Sequence, residues 1–161
     1  MTDDAILIGA RDVIGESFAE LRRCLDGLSV DALNWRPTAD ATNSLAALTT
    51  HALGSSRAWL CLAFDQPLPQ RRRDAEFLAS FADAAAARAS ADALIAECQR
   101  LLDTAAVADW AVRRQTFPRA ATGQPMEVSA AWALLHVVDH LREHVGQMML
   151  TRQLWQAQAP R

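Results

Sequence analysis

His136, His140 and His144 recur every four residues in HVVDHLREHVGQ, and a fourth histidine, His51, stands alone in TNSLAALTTHALG. Imidazoles four apart on a helix stand one above the other, about 6 Å apart along the axis, so an adjacent pair can converge on a single ion. The outer two are about 12 Å apart on that axis, so at most one adjacent pair from this helix binds and a third ligand must come from elsewhere. His51 is the only histidine left to supply it. Three imidazoles and a water make the open coordination of a catalytic site, because a closed one takes a fourth protein ligand, usually sulfur.

The histidine stripe also takes in Glu143, Gln147 and Thr151. Trp132, Leu150 and Leu154 border it, which predicts that it looks inward. His140-Leu-Arg-Glu143-His144 spells the H-x-x-E-H of inverted zinc peptidases as well, but the chain has little room for the peptide cleft and further ligand segment that such a site needs. Glu143 is a candidate general base near a metal-activated water, a partner of a ligating imidazole, or a charge on the helix face. Neutral imidazole suits zinc, nickel, copper and iron alike, so the donor set does not choose the divalent ion.

The elements that must position these side chains read as four helices. Leu7, Ile14, Phe18, Leu21 and Leu25 share one face of a first helix that Gly27 would end. LSVDALNWRPTADAT breaks the period and reads as an ordered loop. Asn43 or Ser44 caps a second helix whose Leu45, Leu48, Ala52, Ser55, Trp59 and Leu62 share a face, with His51 at its edge. QRRRDAEFLASFADAAAARAS has a poor apolar face and reads as a connection with partial helix, its Arg71 to Arg73 a solvated loop. Leu94, Cys98, Leu101, Leu102 and Ala105 mark a third helix beginning near Ala91, and Val107 to Glu127 reads as a second connection. From a cap at Ser129 the fourth and longest helix runs to about Gln156. With no strand-like alternation and no internal boundary, residues 1–161 are expected to form a single all-α domain, a four-helix bundle.

Composition removes several chemistries. There is no tyrosine, and all 16 basic residues are arginine, so tyrosine nucleophiles, Schiff-base lysines and a phosphate-loop lysine are unavailable. A net charge of -3 with no basic block longer than Arg71-Arg72-Arg73 argues against a nucleic-acid partner. No apolar run reaches the length a bilayer needs, and the acidic start MTDDAILIGARD is unlike a signal peptide, so a cytoplasmic location is expected. Cys24, Cys61 and Cys98 sit in helix-like apolar patterns and read as buried, reduced thiols. Arg57 and Arg142 read as solvated helix charges, and Trp59 and Trp132 as the tryptophans nearest a pocket.

The ordered combination of LNWRP, a second helix with one histidine in TNSLAALTTHALG, and HVVDHLREHVGQMMLTRQLW resembles the DinB/YfiT-like superfamily of bacterial metalloproteins. The resemblance implies an up-down-down-up bundle with an overhand connection between the second and third helices. It also implies that His51, His140 and His144 are the ligands, leaving His136 as a neighbour of the site. Similar proteins include thiol S-transferases, a mycothiol-dependent maleylpyruvate isomerase and metal-dependent hydrolases. The expected function is therefore a metal-dependent enzyme, in which zinc, nickel or iron activates a low-molecular-weight thiol toward a small-molecule substrate. A metal-dependent hydrolase or a non-catalytic, stress-associated metal-binding protein is the alternative, and a homodimer is implied.

Overall fold

The computed structural model describes residues 4–38, 42–107, 109–118 and 123–158; parts of both predicted loops and the first three residues of the acidic start lie outside the described residues. Each long helix begins where a side-chain oxygen satisfies a backbone N–H left free in the first turn. Asp4 accepts from Ile6 and Leu7 at the head of α1 (Ala5–Leu25), and Ser29 accepts from Ala32 at the head of the short α2 (Val30–Asn34). Ser44, the second of the two predicted caps, accepts from Ala47 to start α3 (Leu45–Ala63). A one-turn helix α4 (Arg73–Glu76) follows, then α5 (Ala84–Asp103), capped by Asp83. Strands β1 (Arg113–Gln115) and β2 (Glu127–Ser129) precede α6 (Ala130–Ala157), which Ser129 caps as its position predicts. Gly27, with φ +70, turns the chain out of α1 in the left-handed conformation that costs glycine little.

Three expectations need correction. The third long helix starts at Ala84 rather than near Ala91, because its early inward positions are filled by Ala87 and Ala91, buried yet too small to register as an apolar stripe. Val30–Asn34 is helical where a loop was expected. The second connection closes with a two-stranded antiparallel pairing, Arg113 opposite Ser129 and Gln115 opposite Glu127. Only Val128 among these strand residues is buried; backbone pairing and the Arg113–Glu127 ion pair join the strands, and no apolar alternation is left to read.

Helix directions follow from the side chains that meet. Arg11 donates to the carbonyl of Leu102 and Arg22 pairs with Asp92, so α1 and α5 are antiparallel. Arg142 pairs with Glu20 and Arg152 donates to the carbonyl of Arg23, so α1 and α6 run parallel. His51 lies beside His144 and Trp59 beside Trp132, so α3 runs against α6. The order is up, down, down, up, and the segment between α3 and α5 must cross back over one end of the bundle. Asn34 exchanges two hydrogen bonds with the backbone of Phe81, and Arg36 donates to the carbonyl of Phe77. The LNWRP loop thereby ties down that overhand segment.

The core lies between the four long helices, with Ile14, Phe18, Leu21, Leu53, Leu60, Ile95, Leu134 and Leu141 fully buried. Removing each such side chain from water contributes about 1.5–3 kcal/mol. Helix α3 touches α2, α4, α5 and α6 and is buried nearly all round, which is why its polar residues are enclosed. No helix among the described residues is long and apolar enough to cross a membrane.

Candidate metal centre

Where α3 passes α6, His51, His140 and His144 each offer a ring nitrogen, and these three atoms lie within 4.8 Å of one another. His51 is 3% and His144 8% exposed, while His140 is half-buried. The ring of His51 stands 5.1 Å from that of His140 and 4.9 Å from that of His144. The Nε2 atoms of His140 and His144 approach to 3.2 Å. Ligands at the usual 2.0–2.1 Å from a tetrahedral zinc stand about 3.3 Å apart, so this pair of nitrogens already has the spacing of one edge of such a site.

The outer nitrogens are held from behind. His51 Nδ1 lies 2.9 Å from Glu76 Oε2 and 3.3 Å from Arg71 Nη2; the shorter contact is to a carboxylate that only accepts, which favours the hydrogen on Nδ1 and the lone pair on Nε2. His144 Nδ1 lies 2.9 Å from Gln147 Oε1, and the amide's orientation is set by Gln147 Nε2 donating to Glu143. His144 thus also donates through Nδ1 and presents a bare Nε2. Both arrangements are the outer support that orients metal-binding imidazoles.

Burial is the first reason that His140 protonates reluctantly; with the neighbouring His144, His51, His136 and Arg71 it lowers the pKa to about 3. Burial also pushes His144 and His136 below the ordinary imidazole value. Neutral imidazoles are the form a metal needs. Burial on its own would raise Glu76, but hydrogen bonds from His51 and Arg71 outweigh it and hold the carboxyl below its usual value.

His136 stands outside the three-ring cluster in an aromatic wall. It stacks on Trp132 at 4.9 Å, meets Trp59 edge-on at 4.6 Å, and lies 5.3 Å from His140. Phe117 closes on Trp59 at 4.9 Å. Glu143 is exposed, and its carboxylate reaches His144 only through Gln147. Of the stripe, His144 and Thr151 are buried, His136, His140 and Gln147 are half-buried and Glu143 is exposed; Trp132, Leu150 and Leu154, expected to bury its borders, are exposed. Beside Gln147 a cleft of about 260 Å³ opens between Asn43, Leu48, Thr151 and Leu154.

Arg57 pairs with Glu97 and Arg142 with Glu20, so both serve as ion-pair partners between helices. Arg71, expected in a solvated loop, is instead largely enclosed and forks onto Glu76 through Nε and Nη2, each at 2.7 Å. Glu76 and Arg71 belong to no spaced motif. The one sequence signal beside them is Gly54 in the middle of α3, since an interior helical glycine costs about 1 kcal/mol against alanine and asks for a reason in packing.

A model of the family described as Mycothiol-S-transferase (MST) matches residues 10–157. No curated protein matches the chain. Among solved structures, a conserved protein of Enterococcus faecalis is similar in fold, with a TM-score of 0.69 over 92% of this chain and 96% of that one, at 15% identity.

Proposed function

The chain belongs to the mycothiol-S-transferase family, and from that premise we propose that His51, His140 and His144 hold one divalent metal ion at which a low-molecular-weight thiol, mycothiol, is added to an electrophilic small molecule. The observation that carries this reading is the meeting of three imidazole nitrogens from two helices within 4.8 Å, two of them with their far nitrogen already engaged. Bound there, the ion would supply Lewis acidity that lowers the pKa of the thiol, so that a thiolate is available at neutral pH.

The chain's own residues prepare that centre. Glu76 and Gln147 keep the hydrogen of His51 and His144 on Nδ1 and the lone pair of each Nε2 turned inward. Burial keeps His140 and His144 neutral. The aromatic wall of Trp59, Trp132 and His136 beside His140 limits water on that side and offers an apolar surface to the electrophile. Glu143 acts through Gln147 on the orientation of His144. In the reaction the thiol gives up its proton and its sulfur forms a bond to an electrophilic carbon. In a displacement the bond from that carbon to the leaving group breaks and the group departs with the electron pair; in an addition the carbon–carbon double bond opens and its electron pair takes up a proton. Membership in a transferase family favours this course over hydrolysis.

The test is conjugation. Protein loaded in turn with zinc, nickel and iron is incubated with mycothiol and a panel of haloaromatic and Michael-acceptor electrophiles, and products are read by mass. Metal-dependent conjugates are expected; none with any metal across the panel overturns the reading.

A further inference from the structure

Glu76 reaches His51 from a one-turn helix in the overhand segment, 25 residues further along the chain. Its side chain is 11% exposed. One carboxylate oxygen lies 2.9 Å from His51 Nδ1, and the two oxygens accept from Arg71 Nε and Nη2, each at 2.7 Å. The carboxylate comes this close because residue 54, one turn beyond His51, has no side chain. A Cβ there would stand 2.9 Å from Glu76 Oε1, closer than real Cβ contacts come, and in ordinary contact with Cδ at 3.5 Å.

We propose that Gly54, Arg71 and Glu76 form one positioning unit that sets the tautomer and the aim of His51, a proposal that rests on the reading of His51 as a metal ligand. Each member has a separate task. Glu76 takes the Nδ1 hydrogen, which leaves Nε2 the only lone pair on the ring. Arg71 grips the carboxylate with two parallel N–H bonds, which fixes its plane and balances a charge enclosed by protein. Gly54 makes the space. The segment itself is held by Asn34 and Arg36, which bond to the backbone at Phe81 and Phe77, and the Phe77 ring lies 4.2 Å from that of His51. The overhand connection is thus part of the metal centre, although it contributes no ligand to it.

The experiment is a zinc(II) titration against a chromophoric chelator for the parent, Glu76→Ala, Glu76→Gln and Gly54→Ala, with circular dichroism to check folding and cobalt(II) absorption to report coordination. Each variant is expected to bind zinc about ten- to a hundredfold more weakly than the parent while keeping its helix content. Gly54→Ala is the sharpest arm, because it removes no polar group and weakens the site only by displacing the carboxylate, while alanine in the helix interior favours folding. A purely structural role for Glu76 would lower the melting temperature and leave zinc affinity and the cobalt spectrum as in the parent. Affinities within about twofold of the parent in the folded variants overturn the proposal; a parent that binds no zinc overturns the metal reading beneath it.

Discussion

The Nε2 atoms of His140 and His144 face each other at 3.2 Å, one helical turn apart on α6. Two bare lone pairs would repel at that separation, so in the metal-free protein one of the two nitrogens must carry a hydrogen. His144 already donates through Nδ1 to Gln147, which puts the shared hydrogen on His140 Nε2 in a neutral pair. A cation between them would replace that hydrogen.

His140→Ala is therefore expected to lower metal affinity by more than about a hundredfold, beyond the loss typical of an outer support residue. His136→Ala is expected to leave binding within about threefold of the parent, because His136 lies outside the cluster of three nitrogens. Elemental analysis of untagged, reconstituted protein checks both. Equal losses would mean that the pair on α6 is His136 and His140 instead.

The metal-free protein should lose stability on acidification. Burial lowers the pKa values of His140, His144 and His136 in the fold from the ordinary imidazole value of 6.5, with His140 brought to about 3. The unfolded chain therefore takes up protons first as the pH falls, so the stability these groups contribute is full above about 6.5 and is lost progressively toward 3. Urea midpoints measured in chelator from pH 8 to pH 4 should fall, and His140→Asn should flatten the decline. A slope unchanged by that substitution would count against burial of the imidazole as its cause.

Part of this cluster was legible in the sequence for a physical reason: side chains that share one face of a helix repeat with its turn, as His136, His140 and His144 do. The choice of His140 and His144 over His136 and His140 came from the family resemblance and not from the period. The ends of α1, α3 and α6 were equally open to reading, since Gly27, Ser44 and Ser129 are residues that helix termini require. What stayed hidden lies between segments. Glu76 meets His51 across 25 residues and Arg71 meets Glu76 across the start of a single helical turn, and no period links them. Asn34 and Arg36 stood in a motif that carried the family resemblance, yet their work of fastening the overhand segment becomes visible only once that segment is in place. The early turns of α5 were missed because alanine buries well but marks a face weakly.

Glu143 separates two kinds of role. A general base removed by Glu143→Gln costs about 10²- to 10⁴-fold in turnover. An outer residue that steadies Gln147 should cost less than about tenfold, because the amide of the variant can still accept a hydrogen bond from Gln147. Steady-state kinetics with the conjugation assay are expected to give the smaller loss. The larger one would place Glu143 at the reacting atoms.

The chain's own thiols should take no part in the chemistry. Cys24, Cys61 and Cys98 are buried and unpaired, and burial raises the pKa of each, that of Cys98 to about 12. The nucleophile in thiol chemistry is the thiolate, which such surroundings suppress. Native protein at pH 8 should resist iodoacetamide at all three positions for hours, then gain three adducts once unfolded in urea, as read by intact mass. The sulfur of any conjugate must then come from the added thiol, and a Cys61→Ser or Cys98→Ser protein that remains folded should conjugate at the parent rate. A reactive cysteine in the native state would instead point to a thiol relay through the chain.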